Sequence, residues 1–349
     1  MPRVMAIHRF GLANLRSEER APEAMGDGLV RVAIKAVSLN YRDVLVMRGT
    51  YGAGLVDVPL IPCSDAAGVV LEIGPGVTAL EPGDRVCTHM VPDWLDGRLE
   101  PEMRLTTLGG PAPGVLCEER VLPHAALVRI PKMLSFDQAA CLPVAGLAAW
   151  SALTTEASIG PGHRVLLVGT GGVSMLALQI AKKLGAEVAV VSSSDHKLSR
   201  ASRLGADFTA NYRHVGWGEL VRRWSGSGVD AVLEIGGDRT FDESLTATRD
   251  GGCIALLGVL GHGVRAARLT DILMRRIRVQ GIFVGSRVEL ERYLGFIETH
   301  AIEPVIDRVF EGLSATRQAF AYLLTGRHLG KVVVRVSGSA GDPAHASVL

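Results

Sequence analysis

The sequence predicts an α/β protein of two domains, a small antiparallel barrel-like unit followed by a doubly wound parallel sheet. Three observations carry this. The apolar run Arg164–Val168 stops at Gly169, Gly171 and Gly172, and helical spacing begins at once, the strand–turn–helix pattern of a dinucleotide-binding unit. Before about residue 129, short β-type runs are separated by Gly/Pro turns, and from about 130 to 283 strands alternate with amphipathic stretches. A chain of 349 residues with 48% hydrophobic content can bury a core in each of two domains. The expected division is 1–128 with 286–349 for the first domain and 129–285 for the second.

In chain order, Val30–Val37 and Ala67–Ile73 read as strands, ended by turns such as Gly74-Pro75-Gly76 and Glu81-Pro82-Gly83-Asp84. Ser135 opens a helix to Leu153, with Asp137 and Gln138 in its first turn. After strand 165–168, Gly169 and Gly171 let the backbone turn sharply and approach a pyrophosphate, whose charge is met by free N–H groups and the helix dipole. Thr170, Gly172 and Val173 belong to the same cradle, and Ser174, standing in the last glycine position, is small enough for helix and strand to pack closely. Ala186–Val191 is the second strand, within the span a βαβ unit requires. Strands follow at 230–235, 253–257 and 277–284, then a helix over Val288–Ile297 and a last strand, Lys331–Val336, that returns to the first domain. The tail 337–349, rich in Gly, Ser and Ala, has too little apolar surface to pack and reads as disordered.

Lys and Arg number 37 against 36 Asp and Glu, so no basic face draws the chain to nucleic acid or an anionic membrane. The N-terminus lacks the long apolar core of a signal peptide and no run is long and uncharged enough to span a bilayer, which points to a cytoplasmic protein. The five cysteines, Cys63, Cys87, Cys117, Cys141 and Cys253, are odd in number and scattered, the pattern of buried free thiols in a reducing compartment. There is no C-x-x-C or H-E-x-x-H pattern to hold a metal. Among the histidines only His262 falls near the expected cofactor site, and none is assigned a role.

Leu39-Asn40-Tyr41-Arg42-Asp43, Gly49-Thr50-Tyr51, Pro62-Cys63-Ser64-Asp65-Ala66-Ala67-Gly68, Pro82-Gly83-Asp84-Arg85-Val86, Leu204-Gly205-Ala206-Asp207, Asn211-Tyr212-Arg213 and Leu329-Gly330-Lys331 accompany the Gly169 turn. In combination they resemble the zinc-independent, quinone-oxidoreductase-like branch of the medium-chain dehydrogenase/reductase superfamily, over nearly the whole chain. The resemblance implies a GroES-like catalytic domain, a Rossmann domain and an NADP(H)-dependent oxidoreductase. The zinc ligands of the family's metal-dependent alcohol dehydrogenases align with Asn40, Ser64 and about Val144. None of these is a thiolate or imidazole, so a metal-free site is expected, with catalysis resting on hydride donation, positioning and hydrogen-bond donors.

NAD-specific folds place an acid on the adenosine ribose about 20 residues after the first glycine. This chain has Ser192, Ser193 and Ser194 there and then Lys197, hydroxyls and an ammonium that suit a 2′-phosphate, although Asp195 opposes it. The resemblance adds Tyr212 to that phosphate site. It also assigns Asn40, Leu257, Gly258, Val259, Phe283 and Val284 to the nicotinamide end and Lys331 to the cofactor, while Ala148 departs from the threonine many relatives use on the carboxamide. Tyr51 matches a pocket tyrosine of the quinone reductases and is expected to donate to a carbonyl oxygen as negative charge develops on it. Asn40 and Asp43 complete the catalytic set, with Asp43 fixing Asn40 or its loop rather than acting as a base. Tyr41, Leu45, which replaces a second pocket tyrosine, Trp94 and Phe283 are expected to line the substrate pocket, Trp94 as an aromatic cap on the insertion 91–97.

These residues imply hydride transfer to an α,β-unsaturated carbonyl, a quinone or a similar small carbonyl compound. A zinc-free alcohol/ketone dehydrogenase, or an NADPH-binding protein without turnover, would share the same cofactor residues. A homodimer through 277–284 is expected, because this late strand leaves an apolar edge unpaired.

Overall fold

The computed structural model describes residues 1–52, 54–214, 216–260 and 268–336; His262 and the tail 337–349 lie outside the described residues. The chain forms two compact units, Met1–Val144 together with the residues from Ser286, and Ala145–Gly285.

In the first unit β1 (Arg3–Ile7) and β2 (Leu15–Glu19) form an antiparallel ribbon. β3 (Leu29–Ser38) is followed by α1 (Tyr41–Met47), β4 (Asp65–Ile73), β5 (Arg85–Thr88), β6 (Glu119–Pro123), β7 (Leu127–Arg129) and α2 (Phe136–Ala140). α2 packs on β3 and β4, which carries the first unit to Val144 instead of ending it at 128.

The second unit contains α3 (Leu147–Trp150), β8 (Arg164–Val168), α4 (Gly172–Lys183), β9 (Glu187–Ser192), α5 (Asp195–Arg203), β10 (Phe208–Asn211), α6 (Trp217–Ser225), β11 (Val229–Glu234), α7 (Phe241–Ala247), β12 (Thr248–Leu256), α8 (Leu269–Met274) and β13 (Arg278–Gly281). The chain then rejoins the first unit with α9 (Arg287–Thr299), β14 (Ile306–Glu311), α10 (Thr316–Leu324) and β15 (Lys331–Arg335).

β3 organises the first unit. Val30, Val32 and Ile34 alternate into its core as period-2 spacing requires. One edge pairs with β4; the other pairs first with β6 over Leu29–Ala33 and then with β15 over Ala36–Ser38. The last strand therefore sits beside Ser38, immediately before Leu39 and Asn40.

The second unit is a six-stranded parallel sheet in the order β10-β9-β8-β11-β12-β13. The direction of winding reverses between β8 and β11, and in such sheets the crevice beyond the C-terminal strand ends at that switch point binds ligands.

Two expectations are corrected. The single helix Ser135–Leu153 is broken: α2 stops at Ala140, and π-type turns at Leu142–Gly146 and Ser151–Glu156 flank α3. Pro143 has no N–H for the ladder and its ring crowds the preceding turn, so the α pitch fails there. The strand expected at 277–284 is only β13, because its neighbour β12 ends at Leu256, which takes a final bond from the Ile282 N–H at 2.9 Å. Among the described residues no helix is long and apolar enough to cross a membrane. The five cysteines are free and buried; burial pushes the Cys87, Cys117 and Cys141 thiols up to about 12.

Candidate active site

The second unit gathers its candidate residues along the C-terminal edge of the sheet. Gly169, just past β8, has φ +86°, and its N–H donates to Val191 O at 2.7 Å. A Cβ there would stand 3.0 Å from Ile235 Cδ1, in a backbone conformation L residues rarely adopt. α4 then begins behind Gly171, an N-cap that supplies no side-chain acceptor and whose missing Cβ would meet nothing within 4 Å. The first N–H groups of α4 thus have no side-chain cap and open space before them, which fits a pyrophosphate. Ser174 is buried and donates to Val168 O at 3.1 Å, tying helix to strand as a glycine-sized residue can.

Beyond β9, Ser192 is also buried and its hydroxyl lies 3.2 Å from Thr170 Oγ1, so this pair joins the two strand ends. Ser194 caps α5 by accepting from Lys197 N at 3.5 Å. The Asp195 carboxylate accepts from Asn211 Nδ2 at 2.8 Å, a local partner for the one acid beside the candidate phosphate residues, and Tyr212 is exposed.

Glu234, at the end of β11, is a residue the sequence reading passed over. Its carboxylate is fully buried and accepts from Gly236 N at 2.7 Å, Gly237 N at 3.1 Å, Thr240 Oγ1 at 2.6 Å and Ser244 Oγ. This fixes the loop leaving the switch point, where Gly237, at φ +73°, lies so close to Val259 that a Cβ would stand 2.7 Å from Val259 Cγ1. Leu257 N donates to Glu234 O at 2.9 Å and Val259 is exposed. The signal was present: a Glu closing an apolar strand, followed by two glycines, a threonine and a serine.

In the first unit Asn40 is the N-cap of α1, and Asp43 at N3 accepts from Asn40 N at 2.8 Å. The Asn40 amide is held on both sides, its Oδ1 accepting from Lys331 Nζ at 2.6 Å and its Nδ2 donating to Asp65 Oδ2 at 2.9 Å. Lys331 is 3% exposed; its ammonium also donates to Leu39 O at 3.0 Å and stands 3.9 Å from Asp65 Oδ2. Ser64 donates to the other Asp65 oxygen at 3.1 Å. Burial raises Asp65 above the usual carboxylate range, opposed by Lys331, Asn40 and Ser64. Burial likewise pushes Asp43 up to about 6 against the pull of Arg42. Burial, and then Asp43 and Asp65, raise the thiol of Cys63, which has the left-handed φ of +69° under the close backbone approach of Gly109 and Gly114.

Arg42, to which the sequence reading assigned no role, reaches Leu108 O at 3.2 Å and Gly110 O, and its guanidinium lies 4.7 Å from the centre of the half-buried Tyr51 ring. Tyr41 and Leu45 stand half-buried on α1. Trp94 is 9% exposed, its indole N–H donates to Gly97 O at 2.8 Å, and its carbonyl accepts from Arg287 N at 2.9 Å. The insertion is thus packed on its own unit through Trp94.

Asn40, Ser64 and Val144 do not fit zinc. The amide oxygen of Asn40 already takes an ammonium, Ser64 is spent on Asp65, and Val144 offers only backbone. Among the described residues no three His, Cys, Asp or Glu side chains are placed to hold a metal ion.

A chain that carries both a doubly wound sheet with an open glycine-capped helix and a compact β unit has the elements of a pyridine-nucleotide oxidoreductase, and comparison with known proteins agrees. Residues 26–132 match the alcohol dehydrogenase GroES-like domain and 172–299 the zinc-binding dehydrogenase domain. A zinc-type alcohol dehydrogenase-like protein of Schizosaccharomyces pombe is 38% identical, over 93% of this chain and 96% of its own. Quinone oxidoreductase-like protein 2 of Bos taurus is 28% identical, over 91% and 88% respectively. A solved NAD-dependent alcohol dehydrogenase superposes with a TM-score of 0.89 at 34% identity, covering 97% of this chain and all of that one. The chain belongs to the medium-chain dehydrogenase/reductase family and is an oxidoreductase of that family.

Proposed function

We propose that the protein is a zinc-independent NADPH-dependent reductase of α,β-unsaturated carbonyls, quinones or similar small carbonyl compounds. The observation that carries this is the Lys331–Asn40–Asp65 arrangement: the position aligned with a zinc thiolate is an amide locked between an ammonium and a carboxylate. When bound, the nicotinamide supplies the hydride. The chain supplies the rest. The N–H groups at the start of α4 hold the pyrophosphate, with Gly169, Thr170, Gly171, Gly172 and Val173 forming its cradle. In the second unit Leu257, Gly258, Val259, Phe283 and Val284 hold the nicotinamide end; in the first unit Asn40 and Lys331 are the residues proposed to contact the cofactor. Tyr51 donates a proton to the oxygen on which charge develops, and Tyr41 and Leu45 line the pocket beside it.

Preference for the 2′-phosphate rests on Ser192, Ser193, Lys197 and Tyr212, with no acid at the end of β9 and Asp195 paired to Asn211. A second reading, an alcohol/ketone dehydrogenase, is favoured by the names of the alcohol dehydrogenase relatives. Association as a homodimer through β13 is supported by its place at the sheet edge and by exposed Leu269, Leu273, Met274 and Val279 nearby in sequence. Five buried free thiols support a cytoplasmic setting.

The test is NADPH oxidation with a panel of enones and quinones after exhaustive EDTA treatment, with product analysis. Reduction of C=C or of the quinone without metal supports the reading; allylic alcohol as product favours the second; loss of activity that zinc restores, or no turnover with any acceptor, rejects it.

A further inference from the structure

We infer that Arg42 is a positioning residue that sets the orientation of the Tyr51 phenol; this rests on the reading in which Tyr51 supplies the proton. The Arg42 side chain is only 10% exposed and holds three segments together. Its Nη1 donates to Leu108 O at 3.2 Å and its Nη2 to Gly110 O, so the edge of the guanidinium is pinned to the loop 108–110. That loop is itself fixed: Gly109 has φ +70° and approaches so closely that a Cβ would lie 2.6 Å from the Cys63 backbone. Nη1 also stands 3.9 Å from Asp43 Oδ1, and Asp43 Oδ2 holds Asn40 N at 2.8 Å. Pinned along its edge, the guanidinium places its central carbon over the Tyr51 ring, 4.7 Å from the ring centre.

Among the described residues Nε of Arg42 is buried with no hydrogen-bond partner. One donor is therefore left unsatisfied in the orientation that keeps both carbonyl bonds and the ring contact, a sign that this geometry is held against a local cost. An arginine suits the arrangement because its fork bonds two carbonyls through separate nitrogens while its central carbon stays over an aromatic ring; a lysine ammonium keeps the charge but is a single point donor. Asn40, Asp43 and Tyr51 are thereby linked through the one member of the Asn40–Asp43 motif to which the sequence reading gave no task.

The experiment is a double-mutant cycle of Arg42→Lys and Tyr51→Phe, with kcat, KM and NADPH Kd measured for each variant and folding checked by thermal melting. We expect Arg42→Lys to lower kcat at least tenfold while KM and the NADPH Kd change less than threefold. In the Tyr51→Phe background the same change should lower kcat less than twofold, because the hydroxyl it orients is gone. Equal losses in both backgrounds, or an unchanged kcat in Arg42→Lys, overturn the inference.

A loss below threefold in Tyr51→Phe instead rejects the proton-donor role on which it rests. Positioning is then decided without activity, by 19F NMR of protein carrying 3-fluorotyrosine, the Tyr51 resonance being assigned by its absence in Tyr51→Phe. Arg42→Lys should move and narrow that resonance, and an unmoved resonance overturns the positioning itself. Should Arg42→Lys fail to fold, the same cycle is run with Arg42→Gln paired with Asp43→Asn, which removes both charges together.

Discussion

Glu234 in one unit and Asp43 with Asp65 in the other are equally withdrawn from water, with no exposure at any of the three, yet the two sites are satisfied differently. Glu234 takes four donors, all from the segment 236–244 that follows it, and the whole arrangement is local in sequence. Asp43 and Asp65 draw their partners from residues 40, 42, 63, 64, 144 and 331, scattered along the chain, and among the described residues Asp43 Oδ1 and Arg42 Nε are left without a hydrogen bond. Four donors hold the Glu234 carboxylate and the loop after it in place, whereas burial pushes the Asp43 carboxyl up to about 6 against the pull of Arg42. The first shapes the loop proposed to hold the nicotinamide end; the second surrounds the residues proposed to act on the substrate.

The sharpest way to break this contrast is Lys331→Met. It leaves Asp65 buried without its cation and should cost about 3–5 kcal/mol in urea unfolding. Adding Asp65→Asn should recover most of that loss. A loss below about 1 kcal/mol would mean that Lys331 does not compensate Asp65.

Asp43→Asn tests the undersatisfied site in the opposite direction. The folded chain holds the Asp43 proton up to about pH 6, against 3.8 for the ordinary group. The unfolded chain releases it first, so stability falls as pH rises from about 4 to about 6 and is level above. An asparagine keeps an acceptor for Asn40 N and has no charge to bury, so the variant should gain about 2–3 kcal/mol at pH 7 and nothing near pH 3. Equal stability of the two proteins at pH 7 would show that Asp43 is not held in that way.

Glu234→Gln should destabilise by about 2 kcal/mol, because one of four donors then faces an NH2 group. It should also weaken NADPH binding through the loop at Val259, whereas an isosteric change that left both untouched would make the saturation incidental. The smallest effect is expected at the rim of the second unit. Lys197→Ala should weaken NADPH about tenfold, roughly 1.4 kcal/mol, and leave NADH unchanged, as read by fluorescence titration. Equal weakening of both nucleotides would remove the 2′-phosphate assignment.

How much was legible follows from how local each signal is. The Gly169 turn, the Ser135 cap with Gln138 and the alternation along β3 are written within a few residues, and each stands where the spacing put it. The parallel, doubly wound character of the sheet follows from alternating strands and helices, whereas the order β10-β9-β8-β11-β12-β13 is read from the structure alone. The break at Pro143 and the short β13 differ from the sequence expectation because the first follows from a missing N–H inside the helix and the second from where its neighbour β12 ends.

By itself the sequence determined the fold class, the dinucleotide turn and the absence of thiolate or imidazole at Asn40, Ser64 and Val144, since these reside in residue type and short spacing. Only the tertiary structure decided that Lys331, 291 positions from Asn40, locks its amide, that the Arg42 guanidinium lies over Tyr51, and that Asp43 Oδ1 is left without a hydrogen bond. The reason is physical: charge pairing and desolvation depend on distance in space, and β15 brings Lys331 to Asn40 only by pairing with β3.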